Sequence, residues 1–305
     1  ALSEDEFFDV VKRVGCAVIG QTANLAPADK KLYALRDVTG TVNSIPLICG
    51  SIMSKKLASG ADTILLDVKY GSGAFMPDPD SALQLATKMV AIGTRAGKQI
   101  GALITDMEQP LSDHVGNALE IVGIVDVLNG KQNRLYTEIR EVAIKLLALT
   151  GKYNEQTAAE AFQNAIDSGK ALAKFAEMVT AQHGDASYIL HPDKFSLGEI
   201  DEVVADRDGY VGHMVAADIG RAVTMLGGGR MTKGEAIDFS VGVVMQVRLG
   251  SKVQKGDVLC KVYHRNKGLA EAKKMLSAAI EITDNAPAPH KIAYAYVDKN
   301  GVTLY

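Results

Sequence analysis

Thr63-Ile64-Leu65-Leu66-Asp67-Val68 is a short apolar run rich in strand-forming residues, and Lys69-Tyr70-Gly71-Ser72-Gly73-Ala74-Phe75-Met76 follows it as a glycine-containing loop. A run of that length, bounded by turn residues, reads as a strand buried in a parallel sheet. Helical spacing then takes over from about Ser81 to Gly97. A second apolar run, Ile100 to Asp106, comes next and ends in another loop. Strand, helix, strand with a long crossover is the α/β pattern. Ligands in open α/β sheets bind beyond the carboxyl ends of the strands, where both of these loops lie.

Upstream, Ser3 and Glu6 form a capping box ahead of Phe7, Val10, Val11, Val14 and Val18, which follow helical spacing. Pro27 to Tyr33 reads as a short second helix. Ser44 suits an N-cap and Pro46 a first helical turn, with the helix running to about Leu57 and Gly60 marking its stop. Downstream, helices are expected at roughly 115–129, 132–150, 155–167 and 170–182, then a linker from His183 to Ser196. From Ile200 the texture changes to short strands with glycine turns at Asp208-Gly209, Gly227 to Gly229 and Lys255-Gly256. Val241 to Leu259 resembles the half-barrel turn of biotinyl and lipoyl domains. It lacks a carrier lysine in a Met-Lys-Met setting, so it reads as structural. A helix at 269–282 and one or two strands between Lys291 and Tyr305 close the chain.

Composition bounds the answer. The 305 residues suggest two domains, and 47% hydrophobic with 23% charged residues is ordinary for a soluble protein. A net charge of −3 gives no electrostatic case for nucleic acid. No apolar run approaches the ~18 residues that span a membrane, and no signal peptide is visible. Cys16, Cys49 and Cys260 are odd in number and widely spaced, which suggests free thiols and a cytoplasmic setting. The first residue is Ala1, which fits Met removal or excision from a longer chain.

Ile48, Ser51, Ile52 and Lys55 fall at i, i+3, i+4 and i+7 and share one helix face. A hydroxyl and an ammonium on an otherwise apolar face must be satisfied if they are buried. A small polar ligand would do so. Alternatively, Lys55 snorkels to water.

Lys31 to Ile48, continuing to Ser51 and Lys55, closely resembles the base-binding segment of the pyrimidine-nucleoside phosphorylases, the family that includes thymidine phosphorylase. Asp67 to Met76, Thr105 to Leu111 with Gly116 to Glu120, and Leu226 to Arg230 ahead of the half-barrel agree in order, so the resemblance covers essentially the whole chain. It implies an α/β fold: a mixed sheet with flanking helices, part of a small helical domain and a C-terminal α+β half-barrel module. The corresponding boundaries are 1–60 (mainly 28–58), 61–199 and 200–305. It implies phosphorolysis of uridine or thymidine to free base and pentose 1-phosphate, with phosphate as co-substrate and no organic cofactor. Arg36, Ser51 and Lys55 match the base-binding trio, with Arg36 and Lys55 stabilising the departing base. Ile48 and Phe75 match apolar residues near it. Some relatives hold potassium through carbonyls matching Leu111 and His114 plus a glutamate; Gly123 stands at the glutamate position. The family's glycine-rich phosphate loop lies upstream of this segment, and only 30 residues precede Lys31 here. The resemblance therefore implies a missing N-terminal segment and a homodimer when complete. An inactive fragment and an anthranilate-type phosphoribosyltransferase are the competing readings.

Other features stay open at this level. Gly71-Ser72-Gly73 suits either a turn or an anion cradle. Asp67 and Lys69 hold each other or orient a pocket. Asp106 and Glu108 lie near the cleft without an assigned task. The six histidines are scattered, without metal-ligand spacing.

Overall fold

A computed structural model describes residues 2–19, 26–29, 32, 39, 41 and 44–305. The capping box forms as expected at the start of α1 (Glu4–Val14), where Ser3 N–H donates to the Glu6 carboxylate at 2.8 Å and Glu6 N–H returns to Ser3 Oγ. The helix stops at Val14 rather than reaching Val18, because Gly15 turns left-handed at φ +91° and its N–H caps Val11 O. Val18 is exposed outside the helix. Of the short helix expected from Pro27 to Tyr33, residues 27–29 and 32 are helical and the other positions lie outside the described residues. α2 (Ile45–Ala58) has Ser44 at its N-cap position in extended conformation and Pro46 in its first turn, although the Ser44 hydroxyl makes no capping bond.

β1 (Thr63–Tyr70) runs parallel to β2 (Gln99–Asp106), in register from Thr63 opposite Gln99 to Tyr70 opposite Asp106, with α3 (Pro79–Arg95) as the crossover. β2 is buried from Ile100 to Asp106. β1 differs from the expected fully buried strand. Ile64, Leu66 and Val68 are buried while Asp67 is exposed, because β1 is the edge of its sheet. After β3 (His114–Val115) come α4 (Asn117–Leu128), α5 (Arg134–Leu149), α6 (Glu155–Asp167) and α7 (Lys170–Ala181). α3 and α5 both pack on β1 and β2, and α1 packs on α7. The stretch from His183 to Ser196 is more than a linker. It contains α8 (Ser187–Leu190), buries Ile189 beside Val125 and Ala176, and brings the Tyr188 and Phe195 rings to 5.0 Å.

The C-terminal region comprises β4 (Glu199–Val204), β5 (Gly209–Met214), α9 (Ala216–Val223), β6 (Gly242–Met245), β7 (Lys252–Val253), β8 (Val258–His264), α10 (Leu269–Ala279) and β9 (Ile280–Thr283). The expected helix over 269–282 ends at Ala279, since Ile280 to Thr283 pair with β5. Two sheets result, β3-β6-β8-β4 and β7-β5-β9, and neither closes into a barrel. Val211, Ile219, Val243, Cys260 and Leu276 lie in their shared core. β3 comes from the preceding α/β stretch, so the two parts are joined through a common sheet.

β10 (Ala293–Asp298) and β11 (Gly301–Leu304) depart from the expected single stretch 200–305. β10 lies antiparallel on β2, giving the mixed sheet β1-β2-β10-β11. Ala295 and Val297 drive this placement, because both are buried in the core that holds Ile64, Leu85 and Met89. No helix among the described residues is long and apolar enough to cross a membrane, and all three cysteines are free thiols.

Candidate functional site

A cavity of about 620 Å³ runs along β1 between α2 and the loop Lys69 to Met76. Ile48 and Ile52 of α2, Asp67 and Lys69 of β1, Phe75 of the loop and Ala217 of α9 line it. Ile48 and Phe75, both expected near a ligand, therefore meet on one cavity, with Phe75 67% exposed on its rim.

The helix face predicted from spacing divides in two. Ile48, Ile52 and Lys56 border the cavity, whereas Ser51 and Lys55 sit roughly 60° round the helix from Ile48 and Ile52 and turn toward Asp29. Lys55 Nζ donates to Asp29 Oδ2 at 2.8 Å and to Ser51 Oγ at 3.0 Å. Ser51 and Asp29 are each only 8% exposed. Lys55 thus neither snorkels freely nor lies unsatisfied. An ammonium carries three N–H bonds, so these two partners leave one for another acceptor. Sequence reasoning missed Asp29, which lies 26 positions from Lys55 and is brought to it only by the fold. Arg36, the third residue of the expected trio, lies outside the described residues.

A second polar group underlies the cleft. Lys69 Nζ pairs with Asp67 Oδ2 at 2.7 Å, donates to Thr105 Oγ1 at 2.9 Å, and reaches the Glu138 carboxylate. The Thr105 hydroxyl in turn donates to Asp67. Burial pulls the Lys69 pKa down, and the Asp67 charge opposes that pull. Asp67 and Lys69 do hold each other, but the buried member of the set is Glu138, at 2% exposure. The signal for it was a carboxylate one turn after buried Leu135 on the inward stripe of α5. Asp106 is fully buried, and its Oδ2 and carbonyl oxygen each accept from Arg134 Nη2 at 2.8 Å. That geometry makes Asp106 an anchor for α5.

The loop Gly71 to Gly73 is tightly occupied. Ser72 N–H donates to Glu108 Oε2 at 3.0 Å, and Gly73 N–H to Met107 O at 3.0 Å. Gly71 has φ +110°, and a Cβ there would lie 2.8 Å from Glu108. The amides that an anion cradle would present are taken by Glu108 and Met107, so the stretch is built as a turn.

Leu111, Ser112 and His114 line a second cavity of about 470 Å³. A Cβ on Gly123 would lie 2.9 Å from Ser112 Oγ and 3.0 Å from His114 Nδ1. Gly123 contributes no side-chain oxygen, and the side chains of Ser112 and His114 occupy the space a glutamate would need. The potassium site implied by the resemblance does not fit these residues. Among the described residues no cluster of three or more His, Cys, Asp or Glu is placed to hold a metal.

Comparison with known proteins adds to this geometry. The profile of the glycosyl transferase family a/b domain matches residues 1–172, and that of the pyrimidine nucleoside phosphorylase C-terminal domain matches residues 210–283. The chain is 44% identical over 297 residues to the pyrimidine-nucleoside phosphorylases of Staphylococcus aureus strains RF122 / ET3-1, USA300 and N315. Each match covers 95% of this chain and 69% of the relative.

Proposed function

Since the chain belongs to the pyrimidine-nucleoside phosphorylase family, we propose that it catalyses the reversible phosphorolysis of uridine or thymidine to free base and pentose 1-phosphate. The observation that carries this reading is the Ser51 and Lys55 pair, 3.0 Å apart and backed by buried Asp29, on the helix that also presents Ile48 to the cavity. A pyrimidine edge offers two carbonyl oxygens and an N–H. The remaining Lys55 N–H suits a carbonyl, and the Ser51 hydroxyl can pair with the ring nitrogen. Arg36 completes the trio, and Ile48 and Phe75 hold the ring faces.

In the reaction a phosphate oxygen bonds to C1′ as the bond from C1′ to the base nitrogen breaks. The bonding pair leaves with the base and spreads onto its carbonyl oxygens. Lys55 and Arg36 stabilise that developing charge, and Asp29 holds the Lys55 ammonium in place. Phosphate is the co-substrate. It is not held by the Gly71 to Gly73 amides, which are already engaged. By the resemblance, the lysine, histidine and serines around phosphate belong to the N-terminal part that lies upstream of this segment. A homodimer and a cytoplasmic location complete the reading.

The test is release of uracil or thymine from uridine or thymidine in phosphate buffer, paired with calorimetric binding of the free bases. Phosphate-dependent release supports the full proposal. Binding of base without release supports the base site and places the phosphate site outside this chain, which is the fragment reading. Failure of both removes the proposal.

A further inference from the structure

Phe75 stands at the rim of the cleft and is 67% exposed, so packing does little to hold it. Its position comes from the backbone of residues 70–76. Within the loop, Gly71 N–H donates to Met76 O and Ala74 N–H to Gly71 O, both at 2.9 Å. Those bonds close the loop on itself but do not fix it to the rest of the protein. Attachment comes from further hydrogen bonds to neighbouring segments. Met107 N–H donates to Tyr70 O at 2.7 Å and Gly73 N–H to Met107 O at 3.0 Å. Ser72 N–H donates to Glu108 Oε2 at 3.0 Å. Finally, Ser72 Oγ accepts Ala216 N–H at 3.0 Å, and its one proton faces two carbonyl acceptors, Met214 O at 3.1 Å and Glu108 O at 3.3 Å.

The contacts of Glu108 Oε2 and of Ser72 Oγ depend on side chains, and together they reach across the molecule. Glu108 follows β2, and its own N–H donates to Asp106 Oδ1 at 3.0 Å, so the Arg134 and Asp106 pair stands behind it. Met214 ends β5 and Ala216 begins α9 in the C-terminal region, and the adjoining Ala217 lines the cleft directly. The fit is close: a Cβ on Gly73 would lie 2.9 Å from Met107 and 3.0 Å from Ala216. The loop is therefore held from both sides, by the end of the α/β sheet and by the C-terminal region.

We infer that Ser72 and Glu108 are positioning residues for the pyrimidine site: they clasp the loop so that Phe75 meets the base, and through Ser72 the C-terminal region sets base affinity. This rests on the proposed pyrimidine site. Glu108 also determines what the loop does not do. Its carboxylate occupies the amide that an anion would use, which leaves the loop as a ring-contacting wall.

The test is calorimetric binding of thymine and uracil, with no phosphate present. Ser72→Ala and Glu108→Ala each raise Kd roughly tenfold, as expected for loss of a positioning hydrogen bond. Glu108→Gln keeps an oxygen acceptor and stays within about threefold of wild type. Phe75→Ala weakens binding by itself, and Ser72→Ala added to it weakens binding by less than about twofold further, since both act through one ring. A merely structural role would give additive losses in that cycle and would overturn the inference. So would wild-type affinity in Ser72→Ala or in Phe75→Ala. Gain of inorganic phosphate binding by Glu108→Ala would overturn it too, by showing a plugged anion site. Absence of base binding by wild type would remove the pyrimidine reading itself, an outcome distinct from wild-type binding that the variants leave unchanged. Should Ser72→Ala fail to fold, Glu108→Ala against Glu108→Gln carries the comparison.

Discussion

Lys55 has a carboxylate and a hydroxyl as fixed partners and one N–H left, which is the arrangement of a donor waiting for a carbonyl oxygen. Pairing with buried Asp29 orients the ammonium before any ligand arrives, so no reorganisation is needed when charge develops on the base. Lys55→Ala is expected to lower kcat/KM for uridine or thymidine by about a hundredfold or more, the range for loss of one preorganised donor. A loss within about threefold, under ~1 kcal/mol, would take Lys55 out of the reaction. The same substitution removes one ion pair of buried Asp29, so a urea titration separates the stability cost from the catalytic one. The pairing of Ser51 with Lys55 was legible in the sequence because i, i+4 spacing on a helix fixes it locally. Asp29 and Glu138 were not. They reach Lys55 and Lys69 across 26 and 69 positions, and side-chain spacing says nothing about contacts made by tertiary approach.

Helices and the first two strands were readable because each is a local pattern. The parallel pairing of β1 with β2 follows from their crossover through α3. β10 escaped that reading: its partner β2 lies on the far side of the whole C-terminal region in sequence, and a short strand near a chain end carries no sign of which sheet it joins. Gly101 marks the place in retrospect. A Cβ there would lie 2.5 Å from the Tyr296 hydroxyl, so the tyrosine of β10 lies over the glycine of β2. Gly101→Ala is expected to reduce stability by about 1–3 kcal/mol, the usual cost of overpacking, measured as a lower midpoint in urea. An unchanged midpoint would mean that β10 is not seated on β2. Arg134 is the stronger clamp. Its pairing with Asp106, at 10% and 0% exposure, ties the start of α5 to the end of β2. Arg134→Ala leaves a buried carboxylate without its cation and is expected to cost about 3–5 kcal/mol. A loss below about 1 kcal/mol would show that water reaches Asp106 and that the clamp is not buried in solution.

Among the described residues there are two large cores, one around β1, β2 and β10 and one between the two C-terminal sheets. Several contacts join them. β3 pairs with β6, Ser72 binds the start of α9 at Ala216, and Arg248 donates to Asp113 Oδ1 and Pro110 O. Each core also contains one buried thiol, Cys49 in the first and Cys260 in the second. Burial raises the pKa of both and pushes Cys260 up to about 12, so at pH 8 only roughly one Cys260 in ten thousand is thiolate. Cys16 is only partly buried. A disulfide reagent is therefore expected to modify one thiol quickly in the native protein and the other two only on opening. Because the joining contacts cross between the cores, Cys49 and Cys260 are expected to become reactive at the same denaturant concentration, with exchange tracking one cooperative transition. Mass mapping of the labelled cysteines along a urea series reads this directly. Cys260 appearing well before Cys49 would show that the C-terminal core opens alone, and that the ties through Ser72, Arg248 and β3 are too weak to bind the two halves into one folding unit.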